Sequence, residues 1–174
     1  MGGIRAYWDG KQFWSREGNL METPKWFIHG FPQTPLDGEL RMERSTQEIL
    51  MNIINSKEFD NSKWKEIGFY IFDLPGSIYN YEERFQRLEQ LKPFPSHVHT
   101  VDCIQCKGNS HLHIFLDSVL KKGGEGIIIR DPHSPYNKEI EKSALKFKVK
   151  KYLHKLNYFL GIGLTITCRT FLVK

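Results

Sequence analysis

The stretch Gly123-Gly124-Glu125-Gly126-Ile127-Ile128-Ile129-Arg130 constrains this chain more than any other. Two glycines bend the backbone, and a third follows a lone carboxylate. A β-branched run then enters the interior and ends on a guanidinium. Glycine tolerates positive φ and lets a ligand approach the main chain closely. Three consecutive isoleucines read as a buried strand. Glu125 is therefore expected at the lip of a strand, where a carboxylate is costly without a cation or hydroxyl beside it. The plainer alternative is a hairpin with a solvated glutamate.

At 174 residues the chain is long enough for one domain with its own core. A net charge of +5 and a pI of about 9.0 fit a polyanion partner. Three cysteines, Cys103, Cys106 and Cys168, suggest a reducing compartment rather than a disulfide scaffold. No charged-then-apolar leader opens the sequence, so no secretory signal is expected. Residues 156–173 are apolar, but Asn157 and Arg169 interrupt them and Gly161 and Gly163 loosen them. No membrane span is expected there.

Residues 3–8 read as a strand. Asp9-Gly10 reads as a short hairpin turn whose two central residues tolerate positive φ, with residues 11–15 returning. Arg16-Glu17-Gly18-Asn19 closes this pair. Ser45 and Glu48 match a capping box for a helix over residues 47–56, with Ile49, Leu50, Ile53 and Ile54 at helical spacing. Residues 67–74 read as a strand. Asn80 is placed to cap a helix over 81–91 with a Phe85, Leu88, Leu91 stripe, and Pro93 and Pro95 stop it. Residues 99–106 read as one strand and 112–120 as a helix leading into the glycines. Residues 143–150 alternate Leu145, Phe147 and Val149 with Lys146, Lys148 and Lys150, a period of two. Strands outnumber helices, and no βαβ alternation occurs. The fold class expected is α+β, with mostly antiparallel sheets and flanking helices.

Several residues remain after the core positions are assigned. Glu39 and Glu125 are isolated carboxylates next to glycine. Lys146, Lys148 and Lys150 line one side of a strand. Arg5 and Arg16 stand at the two ends of the first hairpin, and Phe72 sits beside Asp73. Amines neutralise phosphate, a carboxylate holds Mg²⁺ or ribose hydroxyls, and an aromatic face stacks on a base, so the set suits a nucleotide. Each piece has a plainer alternative. Phe72 could be core, the lysines a solvated sheet face, and Glu39 the partner of a neighbour.

Cys103-Ile104-Gln105-Cys106, with His97, His99, His111 and His113 nearby, invites a zinc reading. On a strand, positions three apart face opposite ways, so the two sulfurs would not converge on a tetrahedral ion. No zinc site is expected.

The order of the pieces resembles the ATP-dependent DNA ligases, a family of covalent nucleotidyltransferases. The tail of that family's first motif is similar to Gly3-Ile4-Arg5-Ala6-Tyr7-Trp8-Asp9-Gly10, and the next to Ser15-Arg16-Glu17-Gly18-Asn19. Leu36-Asp37-Gly38-Glu39-Leu40, Phe69-Tyr70-Ile71-Phe72-Asp73-Leu74-Pro75, Gly124 to Arg130 and the lysine strand follow in family order. The Asp-Leu-Pro ending resembles the small, minimal ligases.

The resemblance implies an adenylation domain over residues 1–152, a nucleotidyltransferase (ATP-grasp-like) fold, and an extension of unknown role over 153–174. It implies nick sealing in DNA through enzyme-AMP and DNA-adenylate intermediates, in replication, recombination or repair. ATP and Mg²⁺ would be used. The partner would be nicked double-stranded DNA, without a membrane, and the protein an intracellular monomer, with nucleus, organelle and bacterial cytosol all open.

By position, Glu39 would hold the ribose or help the metal, Phe72 would stack on adenine, and Glu125 would support the metal. Arg5 would contact the nucleotide and Arg16 the nick. The α-phosphate would fall to Lys148 and Lys150, or in the other register to Lys146 and Lys148. The family's nucleophilic lysine would fall before Met1, and its oligonucleotide-binding barrel would come after this chain, so a domain trimmed at both ends is expected. Two alternatives stand: a non-catalytic remnant that binds nucleotide or nucleic acid, and an RNA ligase or capping-type nucleotidyltransferase.

Overall fold

Period-two burial makes the first strand: Ile4, Ala6 and Trp8 turn inward while Arg5 and Tyr7 turn away. A computed structural model describes residues 3–43, 46–56, 58–76, 78–124, 126–137, 144–147 and 165–167. The chain divides into two compact units, Met1–Ser77 with Arg84–Thr100, and Ile78–Glu83 with Val101–Lys174. The fold is α+β, as expected.

The first unit carries a six-stranded sheet. Its strands are β1 (Ile4–Trp8), β2 (Phe13–Ser15), β3 (Leu20–Met21), β4 (Leu36–Met42), β5 (Ile67–Asp73) and β6 (Val98–Thr100), in the order β3-β2-β1-β4-β5-β6. All neighbours are antiparallel except β5 and β6. The core is aromatic. Phe13 is fully buried, with ring centroids of Phe69, Trp8, Phe31 and Phe27 at 4.9, 5.2, 5.7 and 6.3 Å. Close edge-to-face pairs add to simple area burial.

Three short helices flank this sheet: α1 (Lys25–Ile28), α2 (Gln47–Ile54) and α3 (Asn61–Trp64). Thr46 caps α2, its hydroxyl accepting from Ile49 N at 3.3 Å. That role was expected of Ser45, which lies outside the described residues. Leu50, Ile53 and Ile54 of α2 are buried, whereas Ile49 is half exposed. Single-turn α3 has no sequence periodicity to announce it. Asp60 starts it by accepting from Ser62 N at 3.0 Å, and Trp64, fully buried, anchors it.

The first hairpin differs from the two-residue turn expected. Trp8 pairs with Phe13, so four residues connect the strands, closed by Asp9 N donating to Gln12 O at 3.1 Å. Gly10 alone within it takes positive φ, at 103°. The cause is the Asp9 carboxylate. Its Oδ1 accepts from Lys11 N at 2.7 Å and Gln12 N at 2.8 Å, and its Oδ2 from Trp14 Nε1 at 2.7 Å. Such side-chain bonds offer the backbone an alternative to the tight turn.

Partial burial pushes the Asp9 carboxyl upward, but the Trp14, Gln12 and Lys11 donors outweigh it and hold it below the ordinary 3.8. A depressed folded value means this stability is full above 3.8 and is lost as pH falls through the folded value. Asp9→Asn should therefore be slightly less stable near neutrality, by a few tenths up to about 1 kcal/mol, because solvent screens this partly exposed carboxylate. The gap to wild type should close below about pH 4. Urea melts at several pH values measure it; a constant gap down to pH 2 would contradict the assignment.

Residues 99–106 are not one strand. Val98–Thr100 pairs with β5, while Cys103–Gln105 forms β7 in a second sheet. Strand propensity reports extended backbone, not which neighbour it bonds to, and only the single turn-forming residue Asp102 marks the break.

The second unit has four strands, all antiparallel, in the order β7-β10-β8-β9. Here β8 is Ile127–Arg130, β9 is Ala144–Phe147 and β10 is Thr165–Thr167. The region read as an extension thus supplies a strand between β7 and β8. Helix α5 (Asn109–Lys121) presents Leu112, Leu116 and Val119, which cluster with Ile127 and Ile129. The glycine pair ends this helix. Gly123, at φ 80°, donates to Leu120 O, and Gly124 N donates to Val119 O, both at 2.9 Å. The buried β8 run follows as expected; Glu125 lies outside the described residues. Arg130 closes β8 with its guanidinium 4.7 Å from the Tyr81 ring centre, both side chains buried. Tyr81 opens helix α4 (Tyr81–Gln90). Asn80 caps it as expected, accepting from Glu83 N at 3.0 Å while the Glu83 carboxylate accepts from Asn80 N at 2.9 Å.

Candidate functional site

Strand alternation sends Leu36, Leu40, Phe69 and Ile71 to the core beside Ile4, Ala6 and Trp8. Arg5, Tyr7, Asp37, Glu39, Arg41 and Tyr70 occupy alternate positions, on the opposite face. Arg5 stands directly across from Glu39, Tyr7 from Asp37, and Glu39 from Tyr70. Period two alone therefore gathers charged side chains of two strands beside aromatics of a third.

Phe72, two residues after Tyr70, shares this face by the same alternation, and a bulge begins there. Asp37 and Gly38 of β4 pair with Asp73 and Ile71 of β5, which leaves Phe72 as the extra residue. Bulges re-aim side chains and recur next to active sites. The Arg5 guanidinium lies 5.9 Å from the Phe72 ring centre.

The same bulge sets Asp73 opposite Asp37. Like charges facing each other destabilise a sheet. Here each has its own arginine. Asp37 takes Arg5 through two contacts, Nε to Oδ1 at 3.1 Å and Nη2 to Oδ2 at 2.7 Å. Asp73 takes Arg84 of α4 likewise, at 2.6 and 3.1 Å, and its Oδ1 also accepts from Leu74 N at 2.8 Å. The Asp73 and Arg84 side chains are only 2% and 1% exposed.

Glu39 is buried and anchored at both oxygens. Oε1 accepts from Gly3 N at 2.7 Å, and Oε2 from Arg41 Nη2 at 3.1 Å. A Cβ on Gly3 would run into Glu39 Oε1 and Cγ, so glycine is what lets the carboxylate lie against the backbone. The Arg41 guanidinium sits 5.1 Å from the Tyr70 ring centre, and that ring packs against His99 at 4.9 Å. Burial pushes the Tyr70 phenol up, and burial with nearby His97 pushes His99 down. The Tyr7 phenol is raised by burial, then by the Asp9 and Asp37 carboxylates.

Of the expected site residues, Arg5, Glu39 and Phe72 come together. Arg16 is exposed, in the turn between β2 and β3, directly after Ser15, the residue that pairs with Ala6. Lys148 and Lys150 lie outside the described residues, like Glu125. Lys146 is in β9 opposite Ile128. Asp37 and Arg41 were missed, although each is two residues from Glu39 and period two points to both. Asp73 and Arg84 had no such signal, because a bulge and an eleven-residue reach join them. Cys103 falls in β7 and Cys106 beyond it, its Sγ donating to Gly108 O at 3.5 Å. Among the described residues no three His, Cys, Asp or Glu side chains gather to hold a metal, and no helix is long and apolar enough to cross a membrane.

An aromatic ring, an adjacent guanidinium and a fixed carboxylate match a base, a phosphate and hydroxyls respectively. The α+β architecture is that of an adenylation domain of the nucleotidyltransferase type. A family model described as the ATP dependent DNA ligase domain matches residues 10–150. The chain is 34% identical over 151 residues to a DNA ligase of Haemophilus influenzae, covering 86% of this chain and 56% of that protein. This chain belongs to the ATP-dependent DNA ligase family. Among solved structures, a Lig E DNA ligase, studied for DNA binding with a minimal scaffold, superposes with a TM-score of 0.73 at 29% identity. That match covers 84% of this chain and 59% of the other. Chlorella virus DNA ligase-adenylate shares the fold, with a TM-score of 0.65 at 22% identity, over 84% of this chain and 58% of that one. The chain thus spans a little over half the length of these relatives.

Proposed function

We propose that this chain is the adenylation-domain part of an ATP-dependent DNA ligase that seals nicks in duplex DNA. The observation that supports it most is the meeting of Arg5, Glu39 and Phe72 on one sheet face of a ligase-family fold. The residues present fit adenosine phosphate: Phe72 stacks the base, Glu39 accepts from ribose hydroxyls, and Arg5 contacts the nucleotide. Lys148 and Lys150, or Lys146 and Lys148, neutralise the α-phosphate, Glu125 holds Mg²⁺, and Arg16 meets the nick. The metal, when bound, offsets charge that builds on the phosphoryl oxygens. The attacking amine is the lysine of a Lys-x-Asp-Gly motif whose glycine is Gly3. Attack needs that amine in line at roughly 3 Å, so no other lysine replaces it.

The test compares the chain as it stands with a version carrying Lys-x-Asp directly before Gly3, each given α-labelled ATP and Mg²⁺. The extended version should take covalent label, and the shorter should bind ATP without taking it. ATP binding without label in both would favour the binding-only reading. Phe72→Ala should weaken ATP binding about tenfold, the scale of one lost base stack. Competition between nicked DNA and nicked RNA duplexes decides the acceptor.

A further inference from the structure

Glu39 is held at both carboxylate oxygens. A carboxylate's terminal torsion is broad and roughly two-fold, so one hydrogen bond leaves its plane free to swing. Gly3 N fixes Oε1 at 2.7 Å; Arg41 Nη2 fixes Oε2 at 3.1 Å. Arg41 is in turn held by its surroundings. Its side chain is 10% exposed, and its guanidinium lies over the Tyr70 ring, which packs on His99. A planar guanidinium stacked on an aromatic is oriented in a way a lysine ammonium is not. The chain His99–Tyr70–Arg41 therefore ends on the carboxylate oxygen that Gly3 does not hold.

We propose that Arg41 is a positioning residue that sets the plane of the Glu39 carboxylate for reading the ribose hydroxyls of an adenine nucleotide. This rests on the assignment of Glu39 to the ribose. Arg41 does not touch the nucleotide. Its effect is on selectivity between ribose and deoxyribose, through the angle at which Glu39 presents its acceptors.

The experiment titrates AMP, 2′-deoxy-AMP and 3′-deoxy-AMP into the full chain by calorimetry, for wild type, Glu39→Gln, Arg41→Met, Arg41→Lys and Tyr70→Leu. Thermal melts accompany each. Wild type should prefer AMP over one deoxy analogue by about tenfold, the scale of a hydrogen bond to a charged group. In Glu39→Gln and Arg41→Met the preference should fall to about twofold or less, with Arg41→Lys between. Should Arg41→Met fail to fold, Tyr70→Leu decides, since it removes the stacking platform and keeps the charge. Full preference in Arg41→Met or Tyr70→Leu, with loss in Glu39→Gln, overturns the role of Arg41 and leaves the ribose assignment intact. Full rescue by Arg41→Lys also overturns it, because charge alone would then suffice. Full preference in Glu39→Gln, or none in wild type, overturns the ribose assignment and this inference with it.

Discussion

Replacing Arg84 with methionine should remove about 3–5 kcal/mol of folding stability, because it leaves a buried carboxylate without its cation. The carboxylate is Asp73, which Arg84 grips at both oxygens with almost no solvent contact. Asp73→Leu should lose a similar amount. The double variant Asp73→Leu with Arg84→Met should recover most of the loss, since a pair of apolar side chains of similar volume is often neutral or better. Recovery should fall short by about 1–3 kcal/mol, because Leu74 N would lose the oxygen it donates to. Urea denaturation of the four proteins measures the coupling. Two single losses that simply add would show that the pair is not coupled, and the account of the bulge would then need another anchor. Because Asp73 directly follows Phe72, the single variants should also blur the ring's position and weaken nucleotide binding.

Phe13→Ala should lose about 3–5 kcal/mol, the range for emptying a large aromatic site in a closed core. Phe13 is the ring on which Trp8, Phe27, Phe31 and Phe69 meet, so four neighbours lose contacts at once. Phe13→Leu should lose roughly 1–1.5 kcal/mol, as it keeps most of the volume but not the edge-to-face geometry. The comparison separates the two terms: equal losses would mean that ring geometry, not the void, dominates. A loss under 1 kcal/mol for alanine would mean that the aromatic cluster collapses to fill the space.

Residue patterns carried much of this fold and part of its site. The Ile127 to Arg130 run, the Asn80 cap and the alternation of β1 and β5 follow directly from period and local chemistry. What escaped is what depends on partners remote in sequence. Asp9 reshaped its hairpin because Trp14 and two backbone amides converge on it. Residues 99–106 read as one strand, yet the hydrogen bonds of Val98–Thr100 and Cys103–Gln105 go to two different sheets. Single-turn α3 is shorter than any period that could reveal it. At the site, Arg5, Glu39 and Phe72 stand out as residues not needed by the core, and family resemblance gives them their roles. Asp37 and Arg41 lay within reach of simple alternation around Glu39. Arg84 did not, because a helix residue meets a strand residue only after both are folded.

The placement of Thr165–Thr167 bears on how this protein is handled in the laboratory. A product that has lost β10 would keep the β8–β9 pair. It would lose the shared neighbour of β7 and β8, and the bare amides and carbonyls of both would invite strands from other molecules. Storage losses and turbidity in purified samples should therefore track loss of β10 more closely than cleavage in the exposed turn at Arg16 to Asn19.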